Sequence, residues 1–116
     1  MPEEIIIPVT TAVDGLNATE LHRMGILGKG VKVAVLDTGV NALHPMLRGA
    51  VTKQANFTQF PGGPDQDAQG HGTWCAAAIG GRKVAYRGLY GEYQLQGIAP
   101  ECEIFDGKVL GDDGGG

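Results

Sequence analysis

The chain has 116 residues, of which 42% are hydrophobic and 19% are charged, and its formal net charge at pH 7 is −4. This length accommodates one domain or part of one, because a single hydrophobic core usually takes about 100 to 150 residues. The acidic balance argues against nucleic acid or an anionic membrane as a partner.

The start of the chain has no feature of a membrane span or an uncleaved signal. Its apolar run, Ile5 to Ile7, is far shorter than the roughly 20 residues that cross a bilayer. Glu3 and Glu4 stand where a secretion signal would carry positive charge. We therefore expect either a cytoplasmic chain or the processed part of a secreted protein, and the sequence does not decide between them.

The first predicted elements are a short helix and a strand. Residues 17–20, NATE, resemble a capping box and predict a helix that runs to about Met24 and stops at Gly25 or Gly28. The stretch VKVAVL, residues 31–36, is rich in β-branched residues and almost continuously apolar. Such a run is typical of a buried strand in a parallel sheet.

The remaining elements alternate in type along the chain. We expect a strand near residues 50–57, a loop over residues 60–70, and a tightly packed helix from His71 to Ile79 because its residues are small. Residues 81–97 are predicted to form an insertion hairpin or a short helix. A turn at Ala99-Pro100 precedes a strand over residues 103–110. This alternation indicates an α/β fold with a largely parallel sheet.

Two residues have the character of a proton-transfer pair. Asp37 directly follows VKVAVL, at the carboxyl end of the predicted strand, where open α/β sheets place reactive groups. An aspartate within hydrogen-bond distance of a histidine can hold its Nδ1–H and stabilise the imidazolium. His71 is the candidate partner, because Gly70 and Gly72 beside it let other backbones approach closely. Asp37 and His71 are therefore predicted to be an orienting carboxylate and a general base.

Three blocks carry a resemblance to a known family. GKGVKVAVLDTGVNALHP, GHGTWCAAAIGG and GIAPECEIFDGKVLGDDGGG, in this order, resemble the first three signature blocks of the subtilisin-like serine proteases, the subtilases. The resemblance covers about residues 14–116 and leaves residues 1–13 as an N-terminal extension. It implies a three-layer fold with a largely parallel sheet, of which only the N-terminal part is present. It also implies that Asp37 and His71 are the triad aspartate and histidine of an endopeptidase.

The third triad member is missing from these residues, because the sequence contains no serine. The resemblance places the oxyanion asparagine and the G-T-S-x-A block downstream. We therefore expect residues 14–116 to be truncated before the nucleophile, and the chain alone to be inactive until the missing C-terminal half completes it. The resemblance also implies a peptide or protein substrate and four substrate-binding residues. These are Leu110 near the subsites and, on the strand edge that pairs with substrate, Gly114, Gly115 and Gly116.

No cofactor or metal is expected. Many relatives bind calcium through H-P-D-L, but residues 44–47 read HPML here, so this site is not carried over. Asp65 and Asp67, a D-x-D in a loop, form a weak alternative calcium site that is more often a solvated turn. Cys75 and Cys102 form no C-x-x-C pair, and the sequence leaves open whether they are thiols or a disulfide.

The neighbours of His71 are assigned packing roles. Trp74 is predicted to pack under the site. Cys75, one helical turn after His71, should point the same way and is interpreted as a buried small hydrophobe rather than a nucleophile. His22 and His44 are interpreted as ordinary surface or packing residues.

Two alternatives remain at this point. Asp37-Thr38-Gly39 also resembles the D-T-G of retroviral-type aspartic proteases, which form one site from two chains but are nearly all β. The other alternative is an inactive or degenerate subtilase that acts at most as a binding or structural piece. Half of a parallel sheet should leave an unpaired edge and an uncovered apolar face, which favour aggregation or pairing with a partner.

Overall fold

The computed structural model describes residue 13 and residues 15–116, so almost all of the predicted N-terminal extension, including Ile5 to Ile7, lies outside the described residues. The elements, in chain order, are α1 (Ala18–Arg23), β1 (Lys32–Asp37), a 3₁₀ helix (Pro45–Leu47), β2 (Val51–Asn56), α2 (His71–Gly80), β3 (Val84–Gly88), β4 (Gly91–Leu95) and β5 (Glu103–Lys108). No helix of the described residues is long and apolar enough to cross a membrane.

The main sheet has three parallel strands in the order β1-β5-β2. Its register pairs Asp37 of β1 and Asn56 of β2 with Lys108 of β5. The carboxyl ends of all three strands therefore meet at one edge, where α2 begins at His71. The predicted α/β class and parallel sheet are confirmed.

Within residues 15–116, other elements pack on one face of this sheet. Val35 and Ile104 point toward α2 and join a core that also contains Leu47, Ala76 and Cys102. Side chains alternate between the faces of a strand, and Leu36, next to Val35, is 65% exposed. The prediction that residues 31–36 form a buried strand is therefore wrong for four of the six residues, which are exposed. Among the described residues, α2 covers one face of β1 alone.

The open face forms a shallow groove of about 460 Å³. Its apolar part comes from Ala34 and Leu36 of β1, Ala55 of β2 and Phe105 of β5. An uncovered apolar face was expected from the sequence and is present in the described structure. The aggregation or partner pairing that such a face favours stays a prediction.

Helix α1 lies where it was predicted, but its beginning differs. Asn17 has a left-handed backbone with φ of 59°, and its side chain makes no capping hydrogen bond. The capping-box prediction is therefore wrong. The predicted stop at Gly25 is confirmed: its φ is 79°, and Ile26 N–H donates to Leu21 O at 2.9 Å. Glycine relieves the strain of this conformation at a helix end.

Residues 81–97 contain an antiparallel hairpin, β3 paired with β4 from Val84 with Leu95 to Gly88 with Gly91. Tyr86 and Tyr93 stack across the two strands, with their ring centroids 6.3 Å apart. Of the two predicted alternatives for this segment, the hairpin is confirmed.

Candidate active site

Asp37 and His71 are brought together at the carboxyl ends of the strands. His71 Nδ1 lies 2.9 Å from Asp37 Oδ2 and 3.0 Å from Oδ1. Asp37 Oδ1 also accepts the backbone N–H of Thr38 at 2.7 Å. With Nδ1–H donating to the carboxylate, the ring keeps its lone pair on Nε2, and the His71 side chain is exposed to solvent. This arrangement can accept a proton at Nε2 and stabilise the resulting imidazolium through Asp37.

Glycines allow the backbone of α2 to meet the backbone behind β1. Gly70, the residue before the helix, has φ of 102°, which strains residues other than glycine. A Cβ on Gly72 would overlap the carbonyl oxygen of Gly39. The predicted close approach beside His71 is therefore present, and the neighbour is the turn after Asp37.

Asp67 was considered only as a weak metal ligand, but the structure gives it a different position. It is 8% exposed. Its Oδ1 accepts Thr38 Oγ1–H at 2.8 Å and Gly70 N–H at 2.7 Å. Its Oδ2 accepts the N–H and Oγ1–H of Thr73 at 2.8 and 2.5 Å. The sequence signal for this role is weak: Asp67 stands four residues before His71, from where a carboxylate can accept the free N–H groups at the start of the predicted helix.

Lys108 is a second group that sequence reasoning missed. Its side chain is fully buried, and Nζ donates at 2.7 Å to each of three acceptors. These are the backbone carbonyls of Thr38 and Gln66 and the carboxylate of Asp112. The ammonium group therefore joins the end of β1 to the loop before α2.

Cys75 lies beside the histidine ring, as its helical spacing predicted. Its Sγ is 3.7 Å from His71 Nδ1 and 3.9 Å from Nε2. Burial raises the pKa of the Cys75 thiol, and the negative charges of Asp37 and Asp67 act in the same direction. Both Cys75 and Cys102 are free thiols in the structure, and Cys75 is only partly buried.

One set of potential metal ligands coincides with this pair. An oxygen of Asp37, a ring nitrogen of His71 and the sulfur of Cys75 lie within 4.8 Å of one another. A thiol binds metal as the thiolate, so metal binding here would release the proton of Cys75. The expectation of no metal or cofactor stays a prediction.

Trp74 does not pack under the site. It is 56% exposed, and its ring centroid lies 6.4 Å from that of His71 with the two planes tilted by 50°. The prediction for Trp74 is therefore wrong, because α2 turns this side chain away from the sheet. His22 and His44 have local partners: His22 Nε2 lies 2.8 Å from Ile98 O, and His44 Nδ1 accepts Met46 N–H at 3.1 Å.

The predicted substrate-binding residues follow β5. This strand ends at Lys108, and Leu110 N–H donates to Asp37 O at 3.1 Å, which places Leu110 beside the pair. Gly114 and Gly115 belong to a turn, in which Gly114 N–H donates to Gly111 O at 2.8 Å. Residues 114–116 lie in no strand of the described structure, and the substrate-binding role of Leu110, Gly114, Gly115 and Gly116 stays a prediction.

Comparison with known proteins agrees with this geometry. The profile of the subtilase family, peptidase S8, matches residues 28–116. The chain is 35% identical over 118 residues to the major intracellular serine protease of Bacillus subtilis (strain 168), covering 97% of this chain and 35% of that protein. It is 39% identical over 109 residues to subtilisin BL of Lederbergia lenta, covering 93% of this chain and 36% of that protein.

A third relative is the putative subtilisin-like proteinase 1 of Encephalitozoon cuniculi (strain GB-M1), 43% identical over 89 residues, covering 77% of this chain and 16% of that protein. The chain thus spans about a third, or less, of the length of these relatives. The family match nevertheless covers most of the 116 residues, with Asp37 and His71 inside it. The chain belongs to the subtilase family of subtilisin-like serine proteases.

Proposed function

We propose that this chain carries the general base and the orienting carboxylate of a serine endopeptidase that cleaves peptide bonds in peptides or proteins. The observation that carries the proposal is the 2.9 Å contact between His71 Nδ1 and Asp37 Oδ2, at the carboxyl ends of a parallel sheet. The nucleophile is not among these 116 residues, since they contain no serine. It belongs to the part of the relatives' length that this chain does not span.

The proposed reaction has two steps. His71 Nε2 accepts the proton of the serine hydroxyl as its oxygen attacks the peptide carbonyl, while Asp37 stabilises the imidazolium. The C–N bond then breaks, and His71 returns the proton to the leaving amine, which leaves an acyl-enzyme. In the second step His71 activates water in the same way, and the ester is hydrolysed to release the acid.

Cys75 is not the nucleophile in this proposal. Its sulfur is nearly equidistant from the two ring nitrogens of His71, which places it over the ring rather than in line with the Nε2 lone pair. A nucleophile must lie within hydrogen-bond reach of its base on that lone pair. The protonated state of the thiol also makes it a poor nucleophile.

The first experiment replaces each member of the pair in the protein expressed from its complete reading frame. We expect Asp37→Asn to lower kcat about 10⁴-fold and His71→Ala to lower it about 10⁶-fold. Labelling of the nucleophilic serine by a fluorophosphonate probe should decrease together with kcat. Peptide hydrolysis at low pH that is abolished by Asp37→Asn and unaffected by His71→Ala would instead support the aspartic-protease alternative. The α/β fold contradicts that alternative.

The second experiment uses the 116 residues alone. We expect them to hydrolyse no peptide substrate, because the serine and the oxyanion donors of a complete site are supplied elsewhere. Reading the sequence beyond Gly116 provides the complementary observation. A G-T-S-x-A segment there supports a protease completed downstream, whereas a native stop codon supports the binding or structural alternative.

A further inference from the structure

The carboxylate of Asp67 connects the two halves of the Asp37 and His71 pair. Its Oδ1 accepts from Thr38, the residue directly after Asp37. Its Oδ2 accepts twice from Thr73, two residues after His71. Asp67 thereby bonds Thr38, next to Asp37, and Gly70 and Thr73, which lie within two residues of His71, and in the described structure it makes no hydrogen bond to Asp37 or His71 itself.

The two threonines complete the connection. Thr38 Oγ1, while donating to Asp67, accepts the backbone N–H of Gly72 at 3.0 Å. Thr73 Oγ1 accepts the backbone N–H of Asn41 at 2.9 Å. The hydroxyls and the carboxylate thus hold the first turn of α2 against the residues that follow β1.

The charge of Asp67 contributes to the strength of this connection. Burial acts to raise the pKa of Asp67, but the hydrogen bonds from Thr73, Gly70 and Thr38 together outweigh it, and the pKa lies below its usual value. The carboxylate is therefore ionised at neutral pH. Hydrogen bonds to an ionised acceptor are roughly twice as strong as neutral ones.

We propose that Asp67 is a positioning residue for proton transfer, which fixes the start of α2 on the end of β1 and so keeps His71 Nδ1 within hydrogen-bond distance of Asp37. The inference rests on the proposed function, since it concerns the reaction that passes through His71. Displacement of a reacting group by about 1 Å can lower a rate about 100-fold. Asp67 acts on the rate through His71 and makes no contact with the reacting atoms.

The test compares Asp67→Asn with the matched control Asp65→Asn in the protein expressed from its complete reading frame. Asparagine at position 67 keeps the size but gives up one oxygen acceptor and places an N–H₂ group opposite a donor of Thr73. We expect kcat to fall at least about 10-fold with KM within about 2-fold. Asp65 is exposed in the same loop and accepts Asp67 N–H through Oδ1 at 3.0 Å, an acceptor that asparagine keeps. Asp65→Asn should leave both constants unchanged.

A second variant tests the same connection without removing the carboxylate. Thr38→Val has almost the same shape but lacks the hydroxyl that joins Asp67 to Gly72. We expect it to lower kcat as Asp67→Asn does, and Thr38→Ser, which keeps a hydroxyl, to restore the rate. Thr38→Val decides the question if Asp67→Asn does not fold, as checked by circular dichroism.

Nuclear magnetic resonance reports on the His71 Nδ1–H hydrogen bond itself, which a general loss of stability does not change in the folded protein. In protein labelled with ¹⁵N-histidine, the His71 Nδ1–H signal should be protected in the wild type and the Asp65→Asn variant, and exchange-broadened in Asp67→Asn and Thr38→Val. If both variants keep the signal and a kcat within about 2-fold of the control, the inference is overturned. If Asp37→Asn itself leaves the signal and the rate unchanged, the proposed function fails instead.

Discussion

Two buried carboxylates, Asp67 before α2 and Asp106 in β5, have opposite surroundings. Asp67 is 8% exposed and Asp106 is 2% exposed. Both oxygens of Asp67 accept two hydrogen bonds. Only Oδ2 of Asp106 is bonded, to the side chains of Gln66 at 2.7 Å and Gln54 at 3.1 Å, and its buried Oδ1 has no partner of normal geometry among the described residues.

The pKa values of the two side chains follow this difference. Burial raises the pKa of Asp106, and the nearby charge of Asp67 acts in the same direction, while the interactions with Gln66, Gln54 and the backbone N–H of Val40 only partly oppose this. The same burial is outweighed at Asp67, whose pKa is lowered. The number and placement of donors, rather than burial alone, therefore decide which carboxylate is stable in its ionised form.

The largest effect should come from separating the two backbones that meet beside Asp67. Gly72→Ala places a Cβ onto Gly39 O, where no flexible side chain can move aside. We expect the free energy of unfolding to fall by about 3 kcal/mol, the upper range for overpacking, measured by urea denaturation. Gly15→Ala is the control, since a Cβ there meets nothing within 4 Å. Equal stability of the two variants would contradict the tight contact.

The comparison is sharpened by making the same substitution at both carboxylates. Asp67→Asn should lower the free energy of unfolding at pH 7 by about 2 kcal/mol, because hydrogen bonds to a charged acceptor are lost. Asp106→Asn should leave it unchanged or raise it by up to about 1 kcal/mol, since a poorly solvated charge is removed. Thermal and urea unfolding of both variants measure this. A loss of similar size at both positions would remove the distinction between them.

The pH dependence of stability should differ in sign between the two positions. Asp67, whose pKa is lowered from its usual 3.8, contributes stability above that value and loses it as pH falls through its folded pKa. Asp106, whose pKa is raised from 3.8, destabilises the fold increasingly as pH rises from 3.8 through its folded pKa.

Urea midpoints from about pH 2.5 to about pH 7 test these slopes. Asp67→Asn should reduce the loss of stability in acid, and Asp106→Asn should reduce the loss on going toward neutral pH. Parallel curves for the wild type and Asp106→Asn would show that Asp106 is ionised without penalty.

The smallest effect is expected at an ion pair that stays in water. Glu20 and Arg23 form an exposed pair on α1. Exposed pairs contribute little, because solvent screens them and two long side chains lose freedom. Glu20→Gln should change the free energy of unfolding by less than about 0.5 kcal/mol. A larger change in the free energy of unfolding, measured by urea denaturation, would contradict the view that the contribution of a charged side chain depends on its burial.

The features that could be predicted from the sequence are those that depend on local residue patterns and on the resemblance to the subtilases. The run VKVAVL predicted β1, and the position of Asp37 directly after it, with glycines around His71, predicted their meeting. The parallel sheet followed from the alternation of elements. Which face of β1 is buried was not predictable, because a continuous apolar run does not say which element packs on which side.

The polar connections around the pair also escaped prediction. Asp67 reaches Thr38 across 29 positions of the chain, and Lys108 reaches Thr38 across 70. No short pattern encodes such contacts, since they depend on the register that places β5 between β1 and β2. Trp74 was misplaced for the same reason: its helical position was right, but the tertiary surroundings decide which side of α2 faces solvent.

The buried ammonium group of Lys108 also allows the opening of this edge of the sheet to be measured by chemical modification. The other lysines, Lys29, Lys32, Lys53 and Lys83, are all exposed, and only Lys108 has no solvent contact. An amine-reactive acylating reagent should therefore modify four lysines at once and the fifth only when the ends of β1 and β5 separate. The rate of Lys108 acylation, relative to that of the exposed lysines, therefore measures how often the structure opens locally around Asp37 and His71.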